Sequence, residues 1–229
     1  MQNEQCCHIN WKSYLKKKRI SIHRKKIESA LNDKGINTLT LTVKSNPTQS
    51  ELKKLITEKI IIVISPVYID APPSGLLKTM KDTYTLYDSI KTSLDDNKRY
   101  IFGISNCGFY EPIHTRCVLN IIEQFGRKIG RVYSGGIGIG CGQLLTSFNT
   151  VPIIDSYLKG PVEKSINELI NHIEKLYKEE EPKAQGTNKF VNFRISKLIY
   201  KIITYFYWYS LGRKNGLKLK DFYYCPYGR

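Results

Sequence analysis

Short, continuously apolar segments alternate with longer amphipathic ones along most of the chain. Residues 60–65 (IIIVIS) and 100–105 (YIFGIS) are β-rich and too brief for helices. Such runs are typical of strands buried on both faces, as in parallel sheets covered by helices. Residues 36–43 alternate between apolar and polar positions, which indicates an edge strand. Residues 131–139 indicate the last strand of the series, and residues 5–10 indicate the first. The pattern predicts a βαβ architecture.

The segments between these strands carry helix signals. Residues 21–34 present one apolar face, and Thr48 and Glu51 have capping-box spacing. Ser74 is placed to cap a third helix, and Pro161 stands at the first turn of a fifth. The fourth helix is predicted from one apolar stripe, formed by Val118, Ile121, Ile122 and Phe125.

Length and composition favour one globular domain with an appended segment. The chain has 229 residues, of which 41% are hydrophobic and 24% charged, enough to bury a full core. We predict a domain over residues 1–180 and a basic, aromatic helical extension over residues 181–229. The acidic stretch at residues 178–189 indicates a linker between them.

The cysteine and histidine residues show no metal or disulfide pattern. Six cysteines occur without a CxxC pair and without Cys/His spacing typical of a metal site. We therefore expect reduced thiols and no bound metal. The first twenty residues lack an apolar run of signal-peptide length, which favours the cytoplasm.

The net charge of +16 is concentrated at the two ends. Residues 1–35 contribute +6, residues 183–229 contribute +9, and the 147 residues between them contribute only +1. The cations either serve particular anions, such as a phosphate, a lipid surface or a nucleic acid, or are simply solvated lysines. No recognised nucleic-acid motif accompanies them, so we expect no nucleic-acid partner.

Residues 190–211 form an amphipathic helical pattern. An apolar stripe opposes a face that carries Arg194, Lys197 and Lys201. A bilayer-spanning helix is disfavoured because each central cation costs about 2.5 to 3.5 kcal/mol. Two alternatives remain open: the helix packs on its own domain or on a second subunit, or it makes a peripheral contact with a membrane interface.

Ligands of open parallel sheets bind at the carboxyl ends of the strands, so three loops carry the candidate site. In the first loop, residues 11–21, Ser13 and Ser21 lie beside four cations and are placed to hold a phosphate at a helix start. The second loop, residues 65–78, is stiffened by prolines. The third loop, residues 105–112, has a glycine followed by two aromatic residues.

Three segments give a specific resemblance: SPVYIDAPPSGLLKTMKD (65–82), SNCGFYEPIHTRCVLNIIEQF (105–125) and YSGGIGIGCGQ (133–143). They resemble the flavodoxin-fold NAD(P)H-dependent FMN reductase family, particularly its clostridial-type members. The tail KNGLKLKDFYYCPYG (214–228) is similar to the end of that group. The resemblance implies a doubly wound, flavodoxin-like, five-stranded parallel sheet of order 2-1-3-4-5, with the C-terminal extension beyond it.

The resemblance also implies the function. We expect an enzyme that passes electrons from NADH or NADPH through bound FMN to a small acceptor: a quinone, nitro compound, metal complex or flavin. We also expect a homodimer and, because hydride transfer belongs to the flavin, no catalytic side chain. The implied FMN contacts in the second and third loops are Pro66, Val67, Tyr68, Ile69, Ser105, Asn106, Cys107, Gly108, Phe109 and Tyr110.

The first loop departs from the family pattern. Trp11 and Lys12 stand where the family usually has a glycine and a serine after an asparagine. A bulky residue where close backbone approach is common weakens a phosphate site. The alternative function is therefore a non-enzymatic flavodoxin-fold binding or electron-carrier protein. The glycines at residues 135–142 do not have dinucleotide-motif spacing and indicate close backbone packing instead.

Overall fold

The computed structural model describes residues 6–11, 19–43, 47–95, 97–142, 152–179 and 186–223. The strands are β1 Cys6–Trp11, β2 Thr38–Val43, β3 Ile60–Pro66, β4 Tyr100–Asn106, β5 Val132–Ile139 and β6 Gly186–Val191. The helices are α1 Arg19–Asp33, α2 Gln49–Thr57, α3 Ser74–Ile90, α4 Arg116–Lys128, α5 Pro152–Tyr177 and α6 Lys197–Lys214.

The strands form one parallel sheet of order β2-β1-β3-β4-β5-β6. The first five strands have the doubly wound, flavodoxin-like order 2-1-3-4-5, so the predicted fold class is confirmed. β2 is an edge strand, as its alternating pattern predicts. β3 is buried along its whole length, which explains its unbroken apolar run.

Helices cover both faces of the sheet. Ile61 and Ile101 belong to a buried cluster with Leu76 of α3 and Leu119 of α4. Because successive side chains alternate between faces, Phe102 points to the opposite face. There its ring meets His172 of α5 edge-on, with the ring centroids 5.6 Å apart.

The sheet has a sixth strand that the sequence did not predict. β6 pairs parallel with β5 over Gly186–Val191, so the linker interpretation is wrong for residues 186–189 and β5 does not close the sheet. Its sequence, GTNKFV, is polar and lacks the apolar run of a central strand. Contacts divide the chain into Met1–Arg194 and Ile195–Arg229, and the predicted boundary at residue 180 stays a prediction.

Helix starts differ from the predictions at three places. α1 begins at Arg19, two residues before Ser21. Ser74 is the first helical residue of α3, and its N-cap, Pro73, makes no side-chain cap bond. Pro161 lies inside α5, because Pro152 already takes the first helical position. The Thr48–Glu51 capping box is confirmed, with both of its hydrogen bonds present.

The unit Ile195–Arg229 contains α6 and a short 3₁₀ turn at Leu219–Tyr223. The Ser196 side chain accepts a hydrogen bond from the Ile199 N–H and caps α6. The Tyr209 and Phe222 rings lie 5.3 Å apart, which packs the turn against the helix. None of the helices in the described part of the chain combines the length and the apolar character needed to cross a bilayer.

Candidate functional site

The carboxyl ends of β3, β4 and β5 bring the second loop, the third loop and residues 140–142 to one edge of the sheet. From β1 the chain continues to β2 at one edge of the sheet. It then crosses to β3, on the other side of β1, and continues through β4 and β5 in the opposite direction. This switch in strand order is where ligands of such folds bind. Pro66 and Asn106 are in register as the last residues of their strands.

The tip of the second loop is a tight turn with an unusual backbone. Tyr68 and Ala71 exchange two backbone hydrogen bonds of 2.8 and 3.1 Å. Between them, Ile69 and Asp70 have φ of 49° and 59°. A β-branched residue in this left-handed region stores about 1–3 kcal/mol of strain. Ile69 is nevertheless 98% exposed. Neither a favoured backbone conformation nor burial in the core therefore explains an isoleucine at this position.

Backbone hydrogen bonds tie the second and third loops together and to the end of β5. The Val67 N–H donates to the Asn106 carbonyl at 2.9 Å. The Gly142 N–H donates to the Cys107 carbonyl at 2.8 Å, and a Cβ on Gly142 would lie only 2.6 Å from the Asn106 amide nitrogen. A glycine is therefore required at this approach, which agrees with the packing role predicted for the glycine-rich segment.

The two thiols at this edge are structural. The Cys107 thiol donates to the Glu111 carbonyl at 3.5 Å, and the Cys141 thiol donates to the Tyr110 carbonyl at 3.8 Å. Burial raises the pKa of the Cys107 thiol and raises the pKa of the Cys141 thiol to about 12. Both therefore stay protonated at neutral pH, which makes them poor nucleophiles.

Three apolar side chains project from these loops. Tyr68, Ile69 and Phe109, here called the apolar platform, are 44%, 98% and 57% exposed. The Phe109 ring lies 4.7 Å from the ring of His114, and His114 Nδ1 lies 3.8 Å from an Asp70 carboxylate oxygen. The Asp70–His114–Phe109 contacts thus join the second loop to the third.

Hydrogen-bonding groups without a partner lie on the same two loops as the platform. Ser105 is fully buried, yet its hydroxyl has no hydrogen-bond partner among the described residues. Within the same part of the chain, the backbone N–H groups of Ile69, Asp70 and Phe109 donate no hydrogen bond. An isoalloxazine ring needs apolar contact on its faces and donors at its polar edge, so the residues at this edge fit a flavin.

The structure gathers ten of the twelve predicted site residues on two adjacent loops. Ser13 lies outside the described residues, and Ser21 lies in the first turn of α1. Sequence reasoning missed Asp70, His114 and Cys141. His114 has no motif spacing, but its position three residues after an acid in a loop at a strand end is the signal that was available. The other ten are Pro66, Val67, Tyr68, Ile69, Ser105, Asn106, Cys107, Gly108, Phe109 and Tyr110.

No family model and no curated protein matches the chain. Among solved structures, the P. pentosaceus NADPH-quinone reductase shows 13% identity and a TM-score of 0.48, over 75% of this chain and 96% of its own. A WrbA-like flavodoxin from Agrobacterium tumefaciens shows 12% identity and a TM-score of 0.44, over 56% of this chain and 74% of its own. Megasphaera elsdenii flavodoxin shows 10% identity and a TM-score of 0.43, over 60% of this chain and 87% of its own. At such values no activity or residue role carries over, and the fold assignment rests on the strand order itself.

Proposed function

We propose that the chain binds FMN at the carboxyl edge of its sheet and passes electrons from NADH or NADPH to a small acceptor. The observation that carries the proposal is the exposed apolar platform beside unused donors at the switch in strand order. Water-exposed apolar side chains on a stiffened, strained turn cost stability unless a ligand covers them. The acceptor class is a quinone, a nitro compound, a metal complex or a free flavin.

The chain's own residues bind and orient in this proposal. Bound FMN supplies the hydride chemistry. Ile69 and Phe109 contact the flavin ring, and the backbone N–H groups of Ile69, Asp70 and Phe109 stabilise negative charge at its polar edge. Pro72 and Pro73, both buried, restrict the second loop before binding, which lowers the entropy lost when the ligand is held.

A titration tests the proposal. The full chain, purified without added flavin, is titrated with FMN while the flavin fluorescence is followed. Phe109→Ala is expected to weaken binding about tenfold, because one aromatic contact contributes about 0.5–1.5 kcal/mol beyond the area it buries. Tyr84→Ala removes an aromatic ring that is 40% exposed on α3 and serves as the control. Equal affinities for the two variants would contradict the proposed site.

A second candidate function is favoured by Trp11. It is the last residue of β1, in register with Val43, so the first loop begins directly after it. A chain without a phosphate site would be a flavin-binding or electron-carrier protein rather than a reductase. FMN and riboflavin affinities separate the two, since a working phosphate site makes FMN the tighter ligand. Bleaching of bound flavin by NADH or NADPH supports the reductase.

A further inference from the structure

Helix α6 exposes large apolar side chains along one side. Leu198, Ile199, Ile202, Tyr205 and Phe206, here called the exposed stripe, are 48% to 69% exposed. Their spacing places them on one side of an 18-residue helix. The solvent side of an ordinary surface helix is polar, and a contiguous apolar surface of this kind marks an interaction site.

The charges next to the stripe are predominantly positive. Residues 190–220 contain no Asp or Glu, and Asp221, in the turn that follows α6, is the one acid among residues 183–229. Lys201 borders the stripe on α6, Arg213 and Lys214 end the helix, and Lys218 and Lys220 follow it. A second copy of the chain would bring these cations against one another, which is unfavourable. An anionic surface complements them.

The combination selects one kind of occupant. An anionic lipid surface accepts apolar and aromatic side chains at the level of its head groups and attracts flanking lysines. Trp208, 52% exposed beside the stripe, is a residue type enriched at membrane interfaces. We propose that α6 lies in the plane of an anionic membrane surface, with the exposed stripe buried among the lipids and the cations at the head groups.

Vesicle flotation of the full chain tests the apolar part of the proposal. Binding to phosphatidylcholine vesicles containing phosphatidylglycerol is expected, with weaker binding to phosphatidylcholine alone. Phe206→Gln and Leu198→Gln should each weaken binding about tenfold, since each removes an apolar side chain from the lipid. The matched control is Leu77→Gln on α3, a leucine 41% exposed and far from α6 in sequence, which should bind as the parent does.

Charge variants test the electrostatic part. Lys201→Ala and Lys214→Ala should each weaken binding to the anionic vesicles about fivefold, because a lysine near such a surface contributes about 1 kcal/mol. Lys53→Ala and Lys54→Ala on the exposed side of α2 are the controls. Unchanged binding in the α6 variants, or an equal loss in the controls, overturns the proposal.

Tryptophan fluorescence gives a readout that is independent of flavin and activity. The protein has two tryptophans, Trp11 and Trp208, so the Trp11→Phe variant reports on α6 alone. Anionic vesicles should shift its emission to the blue, and brominated lipids should quench it. A blue shift that depends on protein concentration without vesicles would show that a second copy covers the stripe, and would overturn the proposal. Absence of any shift with vesicles would overturn it as well.

Discussion

Replacing Arg131 is expected to unfold the protein at a much lower temperature. Arg131 is 4% exposed and follows α4 directly before β5. Its guanidinium donates to the carbonyls of Leu55, Ile56 and Glu58 at 2.9, 2.9 and 2.7 Å. These carbonyls lie at the end of α2, where a helix leaves its last acceptors unpaired. A cation at that position also complements the helix dipole.

The size of the effect follows from these bonds. A hydrogen bond to a charged group contributes about 1.5–3 kcal/mol net. Arg131→Met keeps the aliphatic length. It removes these three short bonds and the two longer ones to the Lys59 and Tyr100 carbonyls, at 3.4 and 3.2 Å, and leaves buried carbonyls without a donor. The variant also no longer has to bury a cation, which offsets part of the loss, so we use the lower limit of about 1.5 kcal/mol per bond. We therefore expect the free energy of unfolding to fall by about 3–5 kcal/mol. For a chain of this size that corresponds to a fall in Tm of about 6–20 °C.

Differential scanning calorimetry and urea denaturation of the full chain measure this loss. The control is Arg127→Met on α4, whose guanidinium pairs with Glu123 at 2.6 Å but whose side chain is 57% exposed. An exposed helical ion pair of this kind contributes only about 0.3–0.5 kcal/mol. If Arg131→Met lowers Tm no more than Arg127→Met does, the carbonyl bonds do not stabilise the fold and the reasoning is refuted.

Three further predictions concern the site. Ile69→Gly should raise the free energy of unfolding by about 1 kcal/mol, because glycine relieves the left-handed strain, and calorimetry measures this gain. The same variant should weaken FMN binding about fivefold, which the FMN titration measures. Gly142→Ala should weaken FMN binding and lower Tm, because its Cβ would meet Asn106 and Cys107; circular dichroism melts and the same titration measure this. Exposed Cys117 should react with iodoacetamide at pH 8 well before Cys107 and Cys141. Burial raises the pKa of both buried thiols, so they stay protonated at this pH and react slowly. Peptide mapping of the alkylated protein detects the order.

The central sheet could be predicted because its strands carry their own burial signal. β3 is apolar at every position except its last two residues, and only a strand covered on both faces needs such a run. The Thr48–Glu51 capping box is a local contact between residues three apart, so the sequence contains both partners.

Features set by distant backbone could not be predicted. The sequence of β6 is polar and typical of a loop. It forms a strand because β5 offers it a free edge and glycines that allow its backbone to approach closely. A Cβ on Gly135, for example, would lie 2.8 Å from the Thr187 carbonyl oxygen. Arg131 reads as one more surface cation, and its burial depends on carbonyls more than seventy positions away. The positive φ at Ile69 contradicts the local preference of isoleucine, so no residue-based rule predicts it.

Four departures from the rules of stable folding form two groups. Arg131 and Gly142 break a rule and are compensated within the fold, by carbonyl acceptors in one case and by close backbone contact in the other. Ile69 and the Ser105 hydroxyl have no such compensation among the described residues. Uncompensated departures of this kind concentrate at functional sites. Both lie where β3 and β4 end, and for this reason the proposed function places its ligand at that edge of the sheet.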